Sequence, residues 1–173
     1  MFRRPVQTLI NYRTMEYETI TGFDPKRYLG TWYEIARFDY RFERGLYAVT
    51  AEYTQRPDGK IRVVNSGRHG SPDGPTASAE GKAKLGAPKD PVRPGFLKVS
   101  FFGPFYSPYY ILALDPDYQY ALVAGKRHKT LWILSRQPQL SQETTQKLLE
   151  VARQQGFDTS KLRFVEQSNR TPY

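Results

Sequence analysis

Residues 28–38 read YLGTWYEIARF, and residues 131–136 read LWILSR. In the first stretch a tryptophan follows a glycine by two positions, at the head of a run rich in aromatic and β-branched residues, the composition of a strand. Alternation puts Trp32 and Glu34 on one face. In the second stretch Trp132, Leu134 and Arg136 share a face, so an arginine ends an apolar row and needs a partner. Trp32 is a suitable one: a guanidinium stacked on an indole gains about 0.5–2 kcal/mol, and its N–H groups can serve unpaired carbonyls nearby. Gly30 lets the chain turn beneath the pair where a Cβ would obstruct it. Gly30, Trp32 and Arg136 are therefore read as the structural floor of a barrel, with Glu34 paired to a neighbouring arginine, tyrosine or backbone group.

Between and around these stretches, short apolar runs alternate with clusters of Gly, Pro and Asp, at the intervals of an antiparallel sheet. The runs are residues 31–40, 47–55, 61–66, 76–85, 96–102, 109–115, 118–125 and 130–136. FGPFYSP and GKRHK are read as connections, the first with aromatics exposed for packing on the rim or for contact with a membrane or second subunit. The period then changes. In SQETTQKLLEVARQQG, Thr145, Leu148, Leu149 and Ala152 fall on one helical face, with Ser141 as N-cap and Gly156 as the stop. A helix over about 141–155 and a last strand over about 162–167 follow. The whole is an all-β fold: a barrel at 31–136 within a single domain at 23–168, preceded by an arm at 1–22 free to flex and followed by a tail at 169–173.

The inward face of TASAEGKAKL is Ala77, Ala79, Gly81, Ala83 and Leu85. Such small residues would leave voids in a sheet packed on another sheet, and voids destabilise. About eight antiparallel strands closed on themselves enclose room for one small ligand. The expected cavity wall comprises Tyr53, Asn65, Ala79, Val99, Phe101, Tyr109, Ile111, Trp132 and Leu134. Asn65, polar on an inward face, is expected either to orient a ligand headgroup or to hold buried water.

The chain has no cysteine, which removes disulfides, thiolate metal sites and cysteine nucleophiles; its two histidines lie far apart and are not read as metal ligands. No cofactor is expected. A net charge of +9 draws anionic partners, and GKRHK at 125–129 would draw phosphate or carboxylate headgroups if it lies at the barrel mouth. Nucleic acid is disfavoured, because the basic residues are scattered and the aromatics point inward by parity. Catalysis is disfavoured too, since no nucleophile motif is present; an enzyme acting on a lipid is the alternative. No export signal or span of apolar residues long enough for a bilayer helix is visible, so the residues leave the compartment open.

Gly30-Thr31-Trp32, the turn Asp115-Pro116-Asp117-Tyr118 and Arg136 together resemble the marks of the lipocalin family. YLGTWYEIARFDYRFERGL, FLKVSFFGPFY and LWILSRQP look like its bacterial, apolipoprotein D-like branch, over roughly residues 23–167. The resemblance implies an eight-stranded up-and-down barrel with a helix at its side. It further implies non-catalytic binding, transport or storage of a small hydrophobic ligand, a fatty acid or lysophospholipid, in bacterial envelope lipid maintenance. The location it implies is the periplasm or outer membrane, with peripheral membrane contact, as monomer or homodimer. The lipobox cysteine usual in that branch is missing, which leaves lipid anchoring open.

Overall fold

The structure, a computed structural model, describes residues 15–41 and 43–167; the first fourteen residues of the expected arm and the tail at 169–173 lie outside them. Eight strands run in order: β1 Gly30–Phe38, β2 Leu46–Gln55, β3 Ile61–His69, β4 Thr76–Leu85, β5 Phe96–Phe102, β6 Phe105–Leu114, β7 Tyr120–Ala124 and β8 Leu131–Ser135. Each pairs antiparallel with the next, and β1 pairs with both β8 and β2, so the sheet closes. Successive connections therefore lie at alternate ends. Those at 56–60, 86–95 and 115–119 share one end with Gly30 and Arg136, and those at 39–45, 70–75, 103–104 and 125–130 share the other.

One strand begins earlier than the sequence led us to expect. FGPFYSP reads as a loop, yet β6 starts at Phe105 and Lys98 pairs with Pro108 across β5. A proline can occupy a ladder position where its missing N–H is not needed, and the tight turn at Gly103, with φ 58°, returns the chain at once.

Closure separates two apolar clusters. One draws residues from all eight strands, among them Trp32, Tyr53, Val63, Ala83, Leu97, Ile111, Val123 and Leu134, and so fills the inside. The other joins Ile35, Ala36 and Phe38 of β1 and the outward faces of β6, β7 and β8 to a helix, so it lies outside. That helix, α2, spans Gln142–Gln154, after a one-turn α1 at Pro25–Tyr28. Ser141 Oγ accepts the Thr144 N–H as its cap, and Gly156 takes φ 86° just beyond its end. Its buried residues are Thr145, Leu148, Leu149 and Ala152, the face the sequence periodicity marks.

Residues 15–22 of the expected arm pack on the barrel. Tyr17 is buried in the outer cluster and its hydroxyl donates to the Gly125 carbonyl at 3.0 Å. Ile20 bonds through its backbone to Ile111 and Gly95. A last strand, β9, covers Leu162–Phe164 and pairs with β1 at Ala36, Arg37 and Phe38, where β2 no longer does. Past it, Val165 N donates to Ile35 O, Ala48 N donates to Glu166 O, and the Gln167 amide reaches the carbonyls of Glu34 and Val49. The C-terminal segment thus fills the seam between β1 and β2.

Candidate ligand-binding lumen

One end of the lumen is shut by stacked aromatics. The Arg136 guanidinium lies 3.9 Å from the centre of the Trp32 ring and donates to the carbonyls of Tyr118, Thr31 and Arg27 at 3.1, 3.1 and 2.9 Å. Gly30 sits under it with φ 100°, and a Cβ there would come within 3.2 Å of Arg136 Nη1. Trp32 Nε1 donates to the Tyr28 carbonyl at 2.9 Å, and the Tyr28 ring centre stands 4.8 Å from Trp32 and 5.4 Å from Tyr53. Tyr118, from the turn between β6 and β7, closes the ring of contacts: its hydroxyl accepts the Asp24 N–H and its ring receives the Arg27 guanidinium at 4.2 Å.

Above the floor, three phenols form a chain, with Tyr28 and Tyr109 oxygens 2.7 Å apart and Tyr53 and Tyr109 oxygens 3.0 Å apart. Burial raises all three, Tyr53 to about 12 and the others well above their ordinary value. They stay neutral hydroxyls, each with a partner, so the chain costs little to bury.

Along β4, β5, β6 and β8 the inward-facing residues become less buried away from that floor, whereas Glu34 and Arg37 of β1 and Gly67 of β3 stay buried. Along β4, Ala83 is fully buried, Gly81 is half-buried and Ala79 is exposed; along β3, Ile61 and Val63 are buried and Asn65 is exposed. Leu97 is buried while Val99 and Phe101 are partly so; Ile111 is buried, Tyr109 partly so, and Leu134 gives way to a half-buried Trp132. Asn65 and Ala79 face each other in register, and Asn65 is therefore in contact with solvent rather than a buried polar group in need of a partner. Asn65 and Ala79 stand on the β3–β4 hairpin beyond the last β4–β5 pair, Lys82 with Ser100, at the end of the barrel opposite the floor. Around that end stand the connections at 39–45, 70–75, 103–104 and 125–130, with Phe102 and Phe105 largely exposed and Lys126, Arg127, His128 and Lys129 beside them in the chain of one rim turn. His128 makes a hydrogen bond to the Gln155 carbonyl, His69 ends β3, and no group of metal-binding side chains occurs among the described residues.

The arginine partner expected for Glu34 is Arg37, and the sequence reading did not place Arg37, Glu43 and Trp132 together beside it. The register of β1 slips between Glu34 and Ala36, so Arg37 pairs with Trp132 and turns to the same face as Glu34, which pairs with Leu134. Arg37 Nη1 donates to Glu34 Oε1 at 3.2 Å, and Nη2 donates to the carbonyls of Glu43 and Leu46 at 2.7 and 3.1 Å. Trp132 Nε1 donates to Glu43 Oε1 at 2.9 Å. Burial, then Glu43, hold the Glu34 carboxyl well above the usual range against the pull of Arg37. Glu34 is thereby biased toward its protonated form.

A family model for the lipocalin-like domain matches residues 23–167 of this chain. The chain belongs to the lipocalin family. Among curated lipocalins it is 54% identical over 150 residues to the outer membrane lipoprotein Blc of Escherichia coli, covering 86% of this chain and 81% of that one. It is 36% identical to apolipoprotein D of Mus musculus, over 86% of this chain and 79% of that one. Among solved lipocalin structures, insecticyanin from the tobacco hornworm Manduca sexta superposes with a TM-score of 0.70 at 23% identity, over 88% and 85% of the two chains, a likeness of fold. Lipocalins as a family bind small hydrophobic ligands. No helix among the described residues is long and apolar enough to cross a membrane.

Proposed function

We propose that the protein is a non-catalytic carrier that holds a singly acylated lipid, a fatty acid or lysophospholipid, in its lumen, and serves lipid upkeep in a bacterial cell envelope. The observation that carries this reading is the graded burial of the lumen face along β4, β5, β6 and β8, from a sealed aromatic floor to the exposed Ala79. Apolar wall below and solvent access above suit an acyl chain entering tail first, at about 0.8 kcal/mol of gross transfer free energy per buried CH₂. Cations in the 125–130 turn suit an anionic headgroup left at the rim. The envelope location draws on the outer membrane lipoproteins among its relatives. The cavity wall named from the sequence, Tyr53, Asn65, Ala79, Val99, Phe101, Tyr109, Ile111, Trp132 and Leu134, is proposed as the contact surface.

The test is a titration, followed by Trp132 fluorescence, with saturated fatty acids and lysophospholipids of increasing chain length. Affinity should rise with each added pair of carbons and then level off as the lumen fills. Absence of binding for every chain length would end the carrier reading, and turnover of a bound lipid would replace it with an enzymatic one.

A further inference from the structure

The rim turn between β7 and β8 holds two successive residues in the left-handed region, Arg127 at φ 57° and His128 at φ 54°. Neither is glycine, and a residue with a Cβ is strained there. Such a pair persists only where its surroundings over-determine it.

Those surroundings come from the chain ahead of the barrel. The Tyr17 hydroxyl donates to the Gly125 carbonyl at 3.0 Å and accepts the His128 N–H at 2.7 Å, so one atom spans the turn. Burial pushes this phenol up to about 12, which keeps it a neutral hydroxyl able to do both. The Glu16 side chain accepts the Arg127 N–H, and His128 Nε2 donates to the Gln155 carbonyl just past α2 at 2.8 Å. The N–H groups of both strained residues are thus taken by residues 16 and 17.

The same segment runs on down the outside of the barrel. Ile20 bonds to Ile111 and Gly95, and Gly22 and Phe23 donate to the carbonyls of Val92 and Arg93 in the connection at the floor end. Residues 16–23 therefore form a strap from rim to floor. Main-chain bonds fix its lower half. Its upper half hangs on side chains: the Gln155 amide holds the Glu18 N–H and carbonyl at 3.2 and 2.7 Å, and a groove of about 250 Å³ opens between Thr19 and Ile20 on one side and Leu112, Val151 and Gln154 on the other. The upper half is the part with the least to lose on lifting, and relief of strain in the turn offsets some of that loss.

We propose that residues 16–18 are the releasable end of a strap that sets the form of the β7–β8 turn, and that its lifting lets the turn relax and lipid pass that edge of the mouth. The coupling of strap to turn stands alone; the passage of lipid rests on the carrier reading above.

Tyr17→Phe removes the spanning hydroxyl and keeps the ring. The backbone carbon shifts of Arg127 and His128 should then leave the values typical of positive φ, while those of Val63 and Ala83 stay. Arg127→Gly accepts positive φ without strain, so the strap should grip harder, and hydrogen exchange of the Glu18 amide should slow about fivefold or more. Arg127→Ala removes the same cation but keeps a Cβ, and should leave that exchange unchanged. Release of bound monopalmitoylglycerol, an uncharged probe followed by Trp132 fluorescence, should be faster than wild type in Tyr17→Phe and slower in Arg127→Gly. Unmoved shifts at 127 and 128, or Glu18 exchange in Arg127→Gly equal to that in Arg127→Ala, would overturn the coupling. Equal release from all variants would overturn the gate. A wild-type protein that binds no lipid removes the carrier reading and the gate with it, while shifts and exchange still decide the coupling. Should Tyr17→Phe fail to fold, the comparison of Arg127→Gly with Arg127→Ala decides alone.

Discussion

Arg136 covers Trp32 at 3.9 Å and, in the same pose, serves three carbonyls from three different segments, those of Arg27, Thr31 and Tyr118. One side chain ties the one-turn helix, the first strand and the β6–β7 turn to the end of the last barrel strand. Replacing Arg136 with Ala should cost about 3 kcal/mol, combining the lost stacking with carbonyls left without donors. Arg136→Lys should recover less than half, because an ammonium cannot stack flat and reach three acceptors in a plane. Urea denaturation at unchanged slope reads both values. A loss within error of zero for Arg136→Ala would mean that the floor is held by its aromatics alone.

Glu34 gives stability an acid-favouring slope. Its carboxyl titrates higher in the folded state than in the unfolded chain, so the folded protein keeps a proton that the unfolded one releases. Its contribution is complete below the ordinary glutamate range of about 4.3 and is lost as pH rises through the raised folded value. The groups facing it are Arg37 on its own strand, Glu43 from the 39–45 connection and Tyr53 from β2. Glu34→Gln should flatten that part of the stability profile and leave the acid limb in place. Thermal midpoints taken from pH 5 to 9 for both proteins check it; parallel curves would show that Glu34 is ionised throughout.

Gly81 makes room for a lumen side chain. A Cβ there would stand 2.5 Å from the Ser100 carbonyl and 2.8 Å from the Phe101 ring. Gly81→Val should therefore push Phe101 from its place and cost about 1–3 kcal/mol. Denaturant midpoints measure the loss, and the aromatic proton shifts of Phe101 report the displacement.

Ala79 separates lumen access from stability. It lies on the lumen face yet is exposed, so Ala79→Trp should alter stability by no more than about 0.5 kcal/mol. An indole there narrows the mouth, and lipid affinity should fall about tenfold in the same titration. Unchanged binding would place the ligand path elsewhere.

The alternation of residues along each strand carries the face assignments, because side chains in a pleated strand must point in turn to either side. That is why Trp32 and Arg136 could be joined across a hundred residues, and why the stripe on α2 was legible from Thr145 to Ala152. The same rule hid Arg37. Strict parity from Trp32 sends residue 37 outward, and only the slip between Glu34 and Ala36 turns it in. Bulges of this kind are backbone events with no obligatory glycine. The hint was compositional: a charged residue inside Ile35-Ala36-Arg37-Phe38, three places after another charge. Tyr28 was hidden differently. It ends a one-turn helix, where no periodicity exists to show that its ring is buried beneath the barrel.

The order in which the chain emerges during synthesis bears on how it can fold. Strands β1 and β2 meet over only four residue pairs, and the remainder of their junction is occupied by residues 162–167, joined to Ile35, Glu34, Ala48 and Val49. A nascent chain with all eight barrel strands exposed from the ribosome still carries a gap along one side. The final fastening waits for residues 162–167 to arrive, so the cylinder is zipped only after the helix and the strand behind it have been made, and until then β1 offers half a free edge to any strand that comes near.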